Sequence, residues 1–106
     1  MPSFQLSYLA DQDIVEILEY TLDRWGAEQA VQYATLLDEH FESIGSGTML
    51  SKQLFPHRGD LYVSRCQKHT IFHLERDGQQ PLVLAVLHSR MDLINRLEER
   101  LAALGI

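Results

Sequence analysis

The sequence predicts an α+β fold: an N-terminal strand and a three-stranded antiparallel meander share one sheet, a helical hairpin packs on it, and a helix ends the chain. Three observations predict it. Apolar residues recur at helical spacing in two adjoining segments parted by a single glycine, Gly26. Three segments between Leu61 and His88 carry strand patterning. A last helical stripe runs up to Gly105. The 106 residues fit one domain spanning 1–106, without repeat, low-complexity tract or linker. A hydrophobic share of 45% with 23% charged residues is that of a folded domain, not a disordered segment.

The elements follow in order. Residues 4 to 9, Phe-Gln-Leu-Ser-Tyr-Leu, alternate apolar and polar, as a strand with one buried face does. Asp11 is the expected cap of the helix that follows, whose stripe is Ile14, Ile17, Leu18, Thr21, Leu22 and Trp25. Gly26 stops that helix and a second begins near Ala27. Its stripe is Ala30, Tyr33, Ala34, Leu37, Phe41 and Ile44, and Gly45-Ser46-Gly47 ends it. So short a link makes the pair an antiparallel hairpin. Residues 46 to 59 read as a loop punctuated by Gly47, Pro56 and Gly59, with Met49, Leu50, Leu54 and Phe55 tucked against the core.

In the strand from Leu61, Leu61, Val63 and Arg65 alternate with Tyr62, Ser64 and Cys66. From His69 to Arg76, Thr70, Phe72 and Leu74 share one face while Ile71 and His73 share the other. Asp77-Gly78 is a turn signal, and Pro81 leads into Leu82 to Leu87. That run is almost continuously apolar, which suits a central strand covered on both faces. Asp92 can cap the last helix, whose stripe is Ile94, Leu97, Leu101 and Leu104.

A net charge of −6 argues against broad, phosphate-driven nucleic-acid binding, which needs a basic surface. The single cysteine, Cys66, excludes an internal disulfide and a cysteine-based zinc site. It reads as a small buried residue of a reducing compartment, although Arg65 and Lys68 beside it could lower its pKa. No secretory leader and no membrane-length apolar run is visible, so the expected location is the cytoplasm.

Several stretches resemble a known family. Tyr20-Thr21-Leu22-Asp23-Arg24-Trp25-Gly26, followed by Glu28-Gln29-Ala30 and Tyr33, resembles the helical hairpin of ParE toxins, within the RelE/ParE superfamily. Leu54-Phe55-Pro56, Arg65-Cys66, His69-Thr70-Ile71-Phe72 and Val86-Leu87-His88-Ser89-Arg90-Met91-Asp92-Leu93 resemble its plasmid-stabilisation branch. The resemblance spans essentially the whole chain, and its implied fold agrees with the element reading. It implies the toxin of a type II toxin–antitoxin pair, partnered by a ParD-type antitoxin whose tail folds along the toxin. It further implies DNA gyrase as target, inhibited by binding, and operator DNA bound only through the antitoxin. Two positions depart from the pattern: Ala85 where many relatives carry arginine, and His73 where many carry tyrosine.

The superfamily's RelE branch sets the alternative, a ribosome-dependent mRNA endoribonuclease. That chemistry needs cations at the scissile phosphate and groups that move protons at the ribose 2′-hydroxyl. Arg58, Arg65, Lys68, His69, His73, Arg76, His88 and Arg90 supply such side chains on or near the sheet, and Arg65, His73 and Arg90 would be essential. Against it stand the acidic balance and a helix end of Ala-Leu-Gly-Ile where that branch carries an aromatic–basic tail. A toxin remnant that only co-represses with its antitoxin is a third reading.

The candidate target-binding residues are therefore Arg58, Arg65, His73, His88 and Arg90. The candidate antitoxin-binding residues are Tyr20, Trp25, Tyr33, Leu37, Leu61 and Val63, along an expected concave apolar groove between hairpin and sheet. The bland alternatives are core packing for Tyr20, Trp25 and Tyr33, a helix cap for Asp92, core filling for Met91 and a turn-bracing hydrogen bond for His88. His69 and His73 share a strand face about 13 Å apart, too far for one metal ion. No metal site, cofactor site, Ser-His-Asp set or Gly-rich phosphate loop is legible.

Overall fold

A computed structural model describes residues 3–106. The order is β1 (Gln5–Leu6), α1 (Tyr8–Trp25), α2 (Ala27–Ser46), β2 (Lys52–Gln53), β3 (Leu61–Cys66), β4 (His69–Leu74), β5 (Leu82–His88) and α3 (Leu93–Leu104). The five strands form one sheet in the order β1-β5-β4-β3-β2. All neighbours are antiparallel except β1, which runs parallel to β5.

The first strand is shorter than its alternating pattern predicts. Ser7, not Asp11, caps α1: its Oγ accepts the Ala10 N–H at 3.0 Å and donates to the Leu84 carbonyl at 3.1 Å. The chain therefore leaves the sheet at Ser7, and Asp11 falls in the first helical turn, where a carboxylate suits the positive end of the helix dipole. Gly26 alone joins α1 to α2 at φ 95°, ψ 172°, a conformation essentially confined to glycine. Gly47 closes α2 in the left-handed region. The loop after α2 contains the short edge strand β2, which its composition does not announce. Met49 and Phe55 pack inward as expected, but Leu50 and Leu54 are exposed.

Two apolar cores lie on opposite faces of the sheet. Ala10, Leu37, Phe41 and Ile44 of the hairpin meet Cys66, Ile71, Val83 and Val86 on one face. Leu61, Phe72, Leu74, Leu84, Ala85 and Leu87 meet Leu97 of α3 on the other, with Leu93, Leu101 and Leu104 against them. Leu93 thus takes the inward position that periodicity gives to Ile94, which is exposed. The covering of β5 on both faces accounts for its unbroken apolar run. Between Phe72 and His73 the ladder is irregular, leaving Leu84 as an extra residue on β5.

That extra residue matters where β1 runs out. Beyond Leu6 the outer edge of β5 has no strand partner among the described residues and is closed by side chains. Asp13 of α1 accepts the Val86 N–H at 2.9 Å, and Arg100 of α3 donates to the Leu84 carbonyl at 2.8 Å. Arg100 and Asp13 also pair with each other at 2.8 and 2.9 Å. One ion pair thereby ties both helical layers to β5. Among the described residues, no helix is long and apolar enough to cross a membrane.

Candidate interaction surfaces

The antiparallel register divides the predicted basic and histidine residues between two ends of the sheet. Cys66 pairs with His69 and His69 with His88, so the β3–β4 turn and the end of β5 lie together. Arg65, Lys68, His69, His88 and Arg90 gather there. Arg58 and His73 belong to the opposite end, beside Leu61 and Leu74.

At the first end, the His69 and His88 rings meet edge to face with centroids 5.5 Å apart. His69 Nδ1 hydrogen-bonds the Tyr33 hydroxyl, which also reaches the Cys66 carbonyl at 3.2 Å. Burial lowers the His69 pKa, helped by the positive charge that His88 can carry and opposed by Asp13. Burial likewise raises the Tyr33 hydroxyl, with Cys66 adding to the effect. His88 Nδ1 accepts the Arg90 N–H at 3.1 Å, the turn-bracing bond foreseen from the sequence, and leaves the Arg90 side chain exposed. Arg65 is exposed, with Nε donating to the Gln67 carbonyl at 2.9 Å. Cys66 is buried, as its sequence reading holds, and burial raises its thiol, so the lowering that Arg65 and Lys68 could supply does not prevail.

At the other end, Arg58 is held by both Asp60 oxygens at 3.1 and 3.2 Å. The hydrogen bond from Arg58 holds the Asp60 carboxyl below its usual range. His73 is fully buried, stacked on Tyr62 with the planes 17° apart, and bonded through Nε2 to Glu75 at 3.1 Å. His40, which sequence reasoning passed over, is also buried and bonded to Ser64 Oγ at 2.8 Å. Its only sequence signal is a place one residue before Phe41 in the α2 stripe. Ala85 is fully buried in the α3-side core, so that departure from the usual pattern falls on a packing position. Among the described residues, no group of three or more His, Cys, Asp or Glu side chains is placed to hold a metal ion.

The expected groove between hairpin and sheet is closed by the chain's own side chains. Leu37 and Leu61 are buried, one in each core, and Val63 packs against the α3-side core. Tyr33 is half-buried and held by its hydrogen bonds. The apolar surface that remains open lies on the outside of the hairpin instead. Tyr8, Val15, Leu22 and Trp25 of α1 are 64%, 47%, 52% and 66% exposed, with half-buried Leu18 between them. Their seven- and three-residue spacing lines them along one helix flank, between the core face and the acidic face of Glu16, Glu19 and Asp23. Tyr20, 61% exposed, lies on the other flank, and Val31 of α2 is equally open. Tyr33 marks where α2 passes the sheet end. The seven residues back to Gly26 carry the hairpin tip about 10 Å beyond it. The tip therefore projects past the sheet end that holds His69 and His88, whereas Arg65 alternates with Cys66 and so points to the α3 face.

Comparison with known proteins agrees with this architecture. The family described as the ParE toxin of the type II toxin–antitoxin system, parDE, matches residues 4–93, the hairpin and the whole sheet up to the first residue of α3. Toxin ParE of Escherichia coli is 38% identical over 104 residues, covering 95% of this chain and 98% of the relative. Toxin ParE1 of Mycobacterium tuberculosis is 29% identical over 94 residues, covering 89% of this chain and 96% of the relative. With hairpin, sheet and conserved length all accounted for, the chain belongs to the ParE toxin family of type II toxin–antitoxin systems, a family whose members have an antitoxin partner.

Proposed function

We propose that the chain is a single ParE-like toxin domain, cytoplasmic and non-enzymatic, that inhibits DNA gyrase by binding it and is neutralised by a ParD-type antitoxin. The observation that carries this reading is the exposed α1 stripe of Tyr8, Val15, Leu22 and Trp25 in a member of the ParE family. A stripe at heptad-like spacing is what a partner helix packs against. A small chain with thin stability margins does not leave such a surface bare in its inhibited state without a partner to cover it. The antitoxin tail lies along this flank, and operator DNA is engaged only through the antitoxin. The target-facing surface is the hairpin tip at Trp25 together with the adjoining sheet end of Arg65, His88 and Arg90. A tail that reaches Trp25 encroaches on that surface, so neutralisation works by occupying part of the target's footprint.

The ribonuclease reading has less support. It asks Arg65, His73 and Arg90 to converge on one phosphate. Arg65 is paired with Thr70, three positions from His73 on β4 and so about 10 Å away along the strand. His73 is buried, with Nε2 committed to Glu75.

A supercoiling assay with purified gyrase tests the reading. The free chain should inhibit, the Arg90→Ala variant should inhibit about tenfold less well, and equimolar antitoxin should restore activity. Gyrase left untouched by folded, free toxin rules out this target.

A further inference from the structure

A cleft of about 390 Å³ lies at the end of the sheet away from the proposed target surface, between the end of α2, the loop after it, and β3–β4. Ile44, Met49 and Tyr62 form apolar walls, and Ser51, His73 and Glu75 supply the polar groups. His73 Nδ1 and Ser51 Oγ are buried there without a hydrogen-bond partner among the described residues. Unpartnered buried polar atoms carry a desolvation cost that a fold does not ordinarily retain. Their roles can be assigned. The Glu75 carboxylate only accepts, so His73 Nε2 carries the proton, and burial keeps the ring neutral. Nδ1 is therefore a lone-pair acceptor. Glu75 has a second oxygen and is half-exposed, and Ser51 can accept as well.

We propose that this cleft receives one arginine side chain of a protein partner. Three acceptors, one of them anionic, match the several forked donors of a guanidinium better than the compact head of an ammonium. The apolar walls suit the aliphatic stem that arginine lays along greasy surface. The volume is at the lower end for a ligand site, and the chain's net charge of −6 favours a cation. The inference rests on the toxin reading only in naming a protein as the carrier; the acceptor chemistry of the cleft stands apart from it.

The test is a titration of the full chain, with ¹⁵N-labelled histidines, by a capped Gly-Arg-Gly peptide, followed at the His73 ring nitrogens by NMR. The expected result is a saturable movement of the Nδ1 resonance. Replacing arginine by neutral citrulline should weaken binding about tenfold or more, as should Glu75→Gln. Ser51→Ala, a change at a loop position, should weaken it less, and His73→Phe should abolish it with the backbone amide spectrum otherwise retained. No movement of Nδ1 overturns the proposal, since a cleft that holds only water gives that result. Equal response to the citrulline peptide overturns the choice of a cation. Response to free agmatine but not to the peptide overturns the protein carrier. Gyrase inhibition is measured on the same samples: inhibition without peptide binding sinks the cleft alone, and peptide binding without inhibition sinks the gyrase assignment alone.

Discussion

Asp13 and Arg100 stand 87 positions apart in the chain, yet their pairing closes an edge that no strand covers. Both side chains are only 14% exposed. Each also satisfies a backbone group of β5, so neither charge is left without compensation. Removing one partner leaves the other charge buried without its counter-ion. Asp13→Asn or Arg100→Met should therefore destabilise by about 3 kcal/mol in urea unfolding, whereas exposed Arg96 and Glu99 of α3 should contribute under about 0.5 kcal/mol. A single-variant loss as small as that of the exposed pair would show that water reaches the buried one. His40, His69 and His73 share a different logic at this scale. His40 and His73 are buried and His69 is half-buried, and burial is the largest influence lowering each pKa.

The hairpin carries its own strain. Gly26 turns the chain with one residue, in a conformation that penalises any Cβ although nothing beyond its own chain neighbours lies within 4 Å of where one would sit. Gly26→Ala should cost about 1–3 kcal/mol through the backbone alone, read as a lower urea midpoint with an unchanged slope. A neutral result would show that the link relaxes. The outer flank of α1 behaves in the opposite way. Leu22 and Trp25 are more than half exposed, so Leu22→Ala and Trp25→Ala should change stability by no more than about 0.5 kcal/mol. Affinity for the antitoxin, measured by calorimetry, should nevertheless fall by about 2 kcal/mol for Trp25→Ala, as for an aromatic anchor at an interface. Unchanged affinity in both variants would move the antitoxin off this flank.

Across the whole molecule, the three histidines with lowered pKa values, His40, His69 and His73, set a pH limit. Below the ordinary histidine value of about 6.5, the unfolded chain takes up protons that the folded chain resists. Stability is then fully present above that value and is lost as pH falls through it towards the depressed folded-state values. The melting temperature should drop between pH 7 and pH 5, and His40→Gln should flatten the dependence by up to about 1.4 kcal/mol per pH unit. A melting temperature that is level across this window would mean that the three rings titrate normally. The same interior placement affects the reading of the site. His73 looks, in sequence, like its neighbours in a basic set, but β-strand alternation puts it under the hairpin with Ile71.

Local chemistry alone determined the hairpin, with Gly26 and Gly47 as its stops, the doubly covered β5, the Asp92 cap of α3 and the family to which the chain belongs. These features rest on periodicity and on residues with strong backbone preferences, so they are legible from short stretches. The start of α1 escaped because Ser7 and Asp11 are both good caps, and the choice fell to the Leu84 carbonyl that receives Ser7 Oγ. The tertiary structure alone decided which of the stripe's apolar residues are buried. Leu37 and Leu61 fill the two cores, while Leu22 and Trp25 stay outside. A helical stripe specifies a direction around its own axis, but only the sheet's length decides where the layer beneath it ends. The division of Arg65, His88 and Arg90 from Arg58 and His73 was settled in the same way, by strand register, because pairing partners far apart in sequence leave no mark on local composition.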